Sequence, residues 1–301
     1  MINIHNLSRY SWVEAIDPTE SELTGLVGNY QLPTKFKNYM MDRHEQPRAA
    51  YDDASDFGVL VVRALGDVRE SHSTTVPIFL GFNDRVLISV CHDSEQARLV
   101  REKSGVQYHE ISGHILAILA ALLTPYFDQL DKISQQAEKL EDARVRRVSN
   151  DHLNTLALMK TNLVYLRSAT AGNLVALQEL QETFHKKLTM SAVATKKADQ
   201  QISDLLIEYQ QCRSMFDVVG DVVSETESAF GNILNNKLNQ TMQFLTVWSL
   251  ILAIPPIISG FYGMNVKLPF ADESAAWIYT VLMTLLLVGR MILHIKLNQH
   301  R

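Results

Sequence analysis

One asparagine near the C-terminal end of the chain has a side chain that could bind a hydrated cation. Asn265 follows Tyr262, Gly263 and Met264, and these residues come directly after a long uncharged segment. An amide oxygen is a neutral ligand, whereas a carboxylate would bind a cation harder and release it more slowly. A small divalent cation sheds its water reluctantly, so amides that hydrogen-bond its water shell can select the hydrated ion by size.

The segment before this asparagine predicts a membrane span. Residues 244–262 contain no charged residue, and at about 1.5 Å per residue they can cross a hydrocarbon core roughly 30 Å thick. A second apolar run predicts a span at 275–295, after an extracytoplasmic loop at 263–274. The tail at 296–301 is basic, so the positive-inside rule predicts a protein of the cytoplasmic membrane with both termini in the cytoplasm.

The tripeptide at 263–265 resembles the signature of the CorA family of divalent-cation transporters. The upstream pattern Asn239-x-x-Met242-x-x-Leu245 lies on the same helix, which strengthens the resemblance. The resemblance implies a homopentameric funnel in a lipid bilayer, with the first span of each copy lining the pore and the tripeptide as selectivity filter. It also implies passive, gated uptake of Mg²⁺, with Co²⁺ and Ni²⁺ as further candidate substrates and Mg²⁺ as regulatory ligand.

A pore requires several copies of the chain, because two helices enclose no interior. Stepping from Met242 at helical spacing predicts which residues face such a pore, although each could instead serve ordinary helix packing. Met242 and Leu245 would form apolar rings that gate by dewetting. The full predicted pore face is Asn239, Met242, Leu245, Ser249, Ala253, Pro256 and Gly260.

The middle of this pore face departs from the family pattern. Relatives often carry a polar group there, whereas this chain has Ala253 and Pro256. Ser249 and the backbone carbonyls that Pro255 and Pro256 release would then form the polar lining.

A regulatory cation site is expected in the long helix before the membrane. Residues 199–227 carry seven acidic residues against the single base Arg213, and like charges four residues apart weaken a helix. The resemblance implies Mg²⁺ sites between protomers, and counting back from the filter suggests Asp204, with Asp67 of a neighbouring chain as partner. A solvated acidic face is the alternative interpretation for most of these acids.

The part of the chain before the membrane predicts an α+β cytosolic domain, an antiparallel sheet flanked by helices, followed by a long stalk helix. Asp17 and Pro18 indicate a helix start with Asp17 as the N-cap. The turn at Asn83-Asp84 indicates a hairpin. The predicted segments are a cytosolic α/β domain at 1–110 with strands at 59–65, 76–82 and 85–91, a helical hairpin at 111–190 and a stalk at 191–243.

Apolar residues repeat every seven positions along the stalk, which favours a left-handed coiled bundle. This stripe could bury against the two preceding helices or associate with copies of itself. Its members are Ile202, Tyr209, Phe216, Val223 and Phe230.

Several other functions find little support. His109 and His114 lie five residues apart, too far round a helix for the spacing of zinc proteases. No glycine precedes a lysine, so an ATP-binding loop is not expected, and Cys91 and Cys212 have no metal-ligand spacing. With a net charge of -5, no basic surface predicts nucleic-acid binding.

An enzyme is therefore not expected. The alternatives to the Mg²⁺ transporter are a zinc transporter of the same superfamily and a non-conducting coiled-coil scaffold in the membrane.

Overall fold

The computed structural model of the protein describes residues 1–69, 72–104, 108, 110–143, 149–187, 192–264 and 276–299. The chain forms two compact units, Met1–Phe230 and Gly231–Arg301. One helix, Ala192–Tyr262, is continuous across the boundary between them. The finer division into seven segments stays a prediction.

A six-stranded sheet lies in the first unit, in the order β1-β2-β6-β5-β4-β3. Its strands are β1 Ile2–Asn6, β2 Ser11–Ile16, β3 Arg48–Asp52, β4 Phe57–Arg69, β5 His72–Phe82 and β6 Val86–Cys91. The predicted antiparallel pairing is confirmed from β3 to β6. The sheet as a whole is mixed, because β2 and β6 run parallel. The prediction of a purely antiparallel sheet is therefore wrong. The helices and strands between β2 and β6 return the chain to β2, so that β6 lies alongside it and runs in the same direction.

Seven helices complete the described part of the chain. They are α1 Glu20–Asn29, α2 Thr34–Met41, α3 Ser94–Ser104, α4 Ile111–Ala143, α5 Asn150–Lys187, α6 Ala192–Tyr262 and α7 Ala276–Gln299. The N-cap of α1 is Thr19, not Asp17 as predicted. The Thr19 hydroxyl accepts from the Glu22 amide at 3.3 Å, and the Glu22 carboxylate accepts from the Thr19 amide at 2.8 Å, which completes a capping box.

Two hydrophobic cores cover the two faces of the sheet. Side chains of α1 and α2, such as Leu26 and Phe36, pack on one face. Side chains of α4, α5 and α6 join the core on the other face, as Tyr126, Leu166 and Phe216 illustrate. Alternate residues of each strand therefore contribute to different cores, as the period of a strand requires.

The heptad stripe of α6 is buried inside a single chain. Ile202, Phe216, Val223 and Phe230 are fully buried, and the Tyr209 hydroxyl donates to the Leu119 carbonyl of α4 at 3.2 Å. Packing against the preceding helices is therefore the interpretation that the structure supports for this stripe.

A buried polar contact joins two helices to the sheet just beyond the end of β3. The Asn173 side chain of α5 accepts from the Arg63 amide of β4 and donates to the Arg63 carbonyl, both at 2.8 Å. The Tyr126 hydroxyl of α4 donates to the same carbonyl at 2.8 Å. One residue of β4 thus receives contacts that orient both α4 and α5.

A buried histidine packs at the start of α4. His114 shares a hydrogen bond of 2.9 Å with the Tyr10 hydroxyl and stacks on Tyr108 with ring centroids 5.2 Å apart. Burial lowers the pKa of His114 from 6.5 to about 4. His114 is therefore a neutral core residue, while His109 lies outside the described residues.

We expect Asn173→Ala to destabilise the protein more than Tyr126→Phe. The first change leaves the buried Arg63 amide without its partner and should cost about 2–3 kcal/mol, whereas the second leaves the carbonyl bonded to Asn173 and should cost about 1 kcal/mol. Urea unfolding of the purified full chain in detergent, followed by tryptophan fluorescence, measures both. Equal destabilisation would contradict this account of Asn173.

Acid should weaken the fold through His114. Between pH 6.5 and about 4, the unfolded chain binds a proton at this side chain that the folded protein does not. The free energy of unfolding therefore falls as the pH is lowered through that window, by up to about 3 kcal/mol. His114→Gln should remove this part of the pH dependence, whereas His44→Gln, at an exposed position, should retain it. Identical slopes in wild type and His114→Gln would rule out the effect.

Candidate functional site

The helices α6 and α7 pack together in the second unit through one stripe of each. On α6 the less exposed residues are Val247, Ile251, Ile254 and Ile258, and Ile258 is only 8% exposed. On α7 the corresponding stripe is Thr280, Thr284, Val288 and Met291. The Thr284 hydroxyl donates to the Thr280 carbonyl at 2.7 Å, so this hydroxyl is satisfied within α7.

The predicted pore face lies on the other side of α6. At about 100° per residue, the centre of this face is about 180° from the centre of the stripe that contacts α7. Met242 is 58% and Leu245 59% exposed. Ser249, Pro256 and Gly260 are also exposed, while Ala253 is half-buried. Packing against α7 thus leaves most of the predicted face exposed.

Asn239 is exposed as well, but it lies at one edge of this face, about 60° round the helix from Met242. A large part of the face is apolar or backbone, and none of its members carries a charge. The polar side chains that it offers are the Ser249 hydroxyl and the Asn239 amide.

The predicted filter begins where α6 ends. The Gly263 amide donates to the Ser259 carbonyl at 2.9 Å, and the Met264 amide donates to the Phe261 carbonyl at 3.2 Å. A Cβ on Gly263 would lie 3.3 Å from the Ser259 oxygen, so glycine permits this tight helix end without a left-handed backbone. Met264 is 55% exposed, and Asn265 lies outside the described residues.

Consecutive prolines occupy the middle of the predicted span. Pro255 and Pro256 are both inside α6. They also border a cleft of about 340 Å³ between α6 and α7, whose further lining includes Ile258, Ser259, Thr280 and Thr284. The Ser259 hydroxyl donates to the Pro256 carbonyl at 3.2 Å.

More basic residues neutralise the acids of the stalk than the sequence of α6 alone suggests. Asp217 pairs with Arg167 at 2.6 Å and Glu227 with Lys160 at 2.8 Å, so α5 supplies bases that the comparison with Arg213 alone omitted. Lys160 and Arg167 lie seven residues apart on one side of α5. That spacing was the signal in the sequence from which these salt bridges could have been predicted.

The proposed sensor residues are placed only in part. Asp204 is exposed on α6 and forms none of the salt bridges of the described residues. Asp67 belongs to strand β4, but its side chain is outside the described part of the structure. No group of three His, Cys, Asp or Glu side chains among the described residues could hold a metal ion.

Two of the described helices are long and apolar enough to cross a membrane. They are Ile111–Glu141 of α4 and Thr195–Tyr262 of α6. The apolar stretch of α4 is 61% buried inside the protein, against 6% for that of α6, so α4 has the character of a core helix. The apolar segment Trp277–Leu293 of α7 is shorter and spans about 25 Å.

Comparison with known proteins agrees with this organisation. The cobalt/magnesium transport protein CorA of Methanocaldococcus jannaschii is 24% identical over 289 residues, which cover 93% of this chain and 88% of that protein. The complete structure of the CorA magnesium transporter from the same organism has a TM-score of 0.77 at 22% identity, covering 94% of this chain and 89% of the other.

A second solved structure resembles a large part of the chain. The cytoplasmic domain of ZntB from Vibrio parahaemolyticus has a TM-score of 0.53 at 14% identity and covers 74% of this chain and 89% of that domain. Residues 8–297 match the family described as CorA-like Mg²⁺ transporter protein. Because that match spans nearly the whole sequence, the chain belongs to the CorA family.

Proposed function

We propose that this protein is a channel-type transporter that carries hydrated Mg²⁺ passively through a homopentamer in the cytoplasmic membrane. The observation that carries the proposal is the uncharged, exposed face of α6 opposite α7, which leads directly to the Gly263-Met264 helix end. Membership of the CorA family supports the same function.

Several copies are needed because one hairpin of helices encloses no path. Removing water from an ion in hydrocarbon costs tens of kcal/mol, so the ion must travel in a wet passage between copies. Five copies arranged about an axis would turn the exposed faces of α6 towards that passage, with α7 on the outside. Both termini then lie in the cytoplasm.

The two ends of this passage would have different tasks. Rings of Met242 and Leu245, both largely exposed in the single chain, would close the cytoplasmic mouth by excluding water. At the outer mouth, Asn265 amides would hold the ion through its own water molecules. The membrane potential supplies the energy, since a divalent charge moving down about 100 mV releases about 4.6 kcal/mol.

Asn265→Ala should abolish most of the Mg²⁺ flux into liposomes that contain the purified protein. The change removes the neutral oxygens that would hold the hydrated ion at the outer mouth. Asn154→Ala, at an exposed position of α5, is the matched control and should transport like wild type. A scaffold without conduction would show no flux in any of the three proteins.

The same liposomes separate Mg²⁺ from Zn²⁺ transport. We expect Co²⁺ and Ni²⁺ to compete with Mg²⁺, because both form hydrated divalent ions of similar size. Flux of Zn²⁺ in the absence of appreciable Mg²⁺ flux would favour the zinc transporter of the same superfamily instead.

We further propose that cytosolic Mg²⁺ binds at Asp204, with Asp67 of a neighbouring protomer, and holds the passage closed. The exposed Asp204 carboxylate, outside the salt bridges of α6 with α5, supports this role. The acids Asp217 and Glu227 are less suited, because α5 already neutralises them.

Asp204→Ala should weaken the protection that Mg²⁺ gives the cytosolic unit against protease. The variant lacks a carboxylate ligand, so a higher Mg²⁺ concentration should be needed for the same protection. Asp131→Ala, which removes an exposed carboxylate of α4, serves as control. Unchanged protection in Asp204→Ala would remove this residue from the sensor.

A further inference from the structure

The middle of the predicted span has no polar side chain. From residue 250 to residue 258 every side chain is apolar, a length of about 14 Å along the helix. Ser249 lies below this stretch and Ser259 above it. A hydrated cation would cross this level, where the low dielectric raises its energy most, without any side chain to bind its water.

The prolines release backbone oxygens within this stretch. Pro255 and Pro256 have no N–H, so they cannot donate the helical hydrogen bonds that the carbonyls of Ile251 and Leu252 would normally accept. Such oxygens are tolerated at membrane depth where they line a water-filled cavity. Two neutral acceptors are therefore available midway along the span.

The two oxygens face different surroundings. Leu252 lies about 60° from the centre of the exposed face, and Pro256 lies closer to that centre, although it also borders the cleft. Ile251 belongs to the stripe that packs on α7, so its carbonyl lies on the α7 side of the helix. Of the two carbonyls, that of Leu252 is thus the nearer to the side that the proposed function assigns to the ion.

We propose that the Leu252 carbonyls of the assembled protein form a ring that binds the water shell of a divalent cation midway along the pore. This inference rests on the proposed function, because it needs several copies around an axis. The carbonyl dipoles supply neutral oxygens at the level where Ala253 and Pro256 supply none from their side chains. Pro256 is the residue that keeps this oxygen free.

The Ser259 hydroxyl does not serve this level instead. It donates to the Pro256 carbonyl at 3.2 Å and points about 80° away from the centre of the exposed face. It borders the cleft between α6 and α7. The hydroxyl thus belongs to the flank of the helix, and the mid-span oxygen of Leu252 has no side-chain substitute nearby.

Three variants test the ring by Mg²⁺ flux into liposomes. Pro256→Val and Pro256→Thr both restore an N–H that can bond the Leu252 carbonyl, and their side chains have the same shape, but only threonine brings a hydroxyl to this level. We expect Pro256→Val to lower the flux about tenfold and Pro256→Thr to lower it clearly less, because the threonine hydroxyl replaces part of the lost interaction with the water shell. Pro255→Val restores the bond on the α7 side and should lower the flux less than Pro256→Val does.

Equal losses in Pro256→Val and Pro256→Thr would overturn the proposal, since the bend of the helix would then be what matters. Wild-type flux in Pro256→Val, or a loss in Pro255→Val as large as that in Pro256→Val, would do the same. The particle size of each variant in detergent shows whether it assembles, and Pro256→Ala replaces Pro256→Val if the latter does not. Absence of flux in wild type would instead refute the proposed function.

Discussion

Water held by a divalent ion is the constraint on which the membrane part of this protein depends. Removing it in hydrocarbon costs tens of kcal/mol, and a strong ligand that repaid this cost would hold the ion too long. In the proposed pore, an uncharged helix face with neutral oxygens at intervals would avoid both problems. Residues 244–262 carry no charge, and α7 packs on the side of α6 that leaves this face open.

Sequence periodicity predicted the helices and the buried face of the stalk well, because each depended on local spacing. The heptad from Ile202 to Phe230 is buried, and the face through Met242 and Pro256 is separate from the stripe at Ile258. The first strands were missed because the buried Glu14 interrupts the apolar pattern of β2. Its carboxylate is satisfied by Arg101 of α3 at 3.0 Å, a contact between residues far apart in sequence.

The stalk shows why charge counted along one helix misleads. The acids of α6 appear nearly unopposed in sequence, yet Lys160 and Arg167 of α5 neutralise two of them. These pairs are partly exposed, so each contributes little to stability. Their effect is selective: they occupy Asp217 and Glu227, whereas Asp204 is in none of the salt bridges of the described residues, a distinction that a count of charges on α6 alone does not make.

The Asn173 amide has a consequence beyond stability. By bonding both backbone groups of Arg63, it acts in place of a further residue of β3, which pairs with β4 only as far as Val61. An uncovered strand edge would be a template for joining another chain. The N-terminal unit leaves the ribosome before α7 has been made, and an unpaired strand edge exposed at that stage is prone to aggregation. A side chain that seals this edge early therefore helps each copy to fold alone before it enters the bilayer.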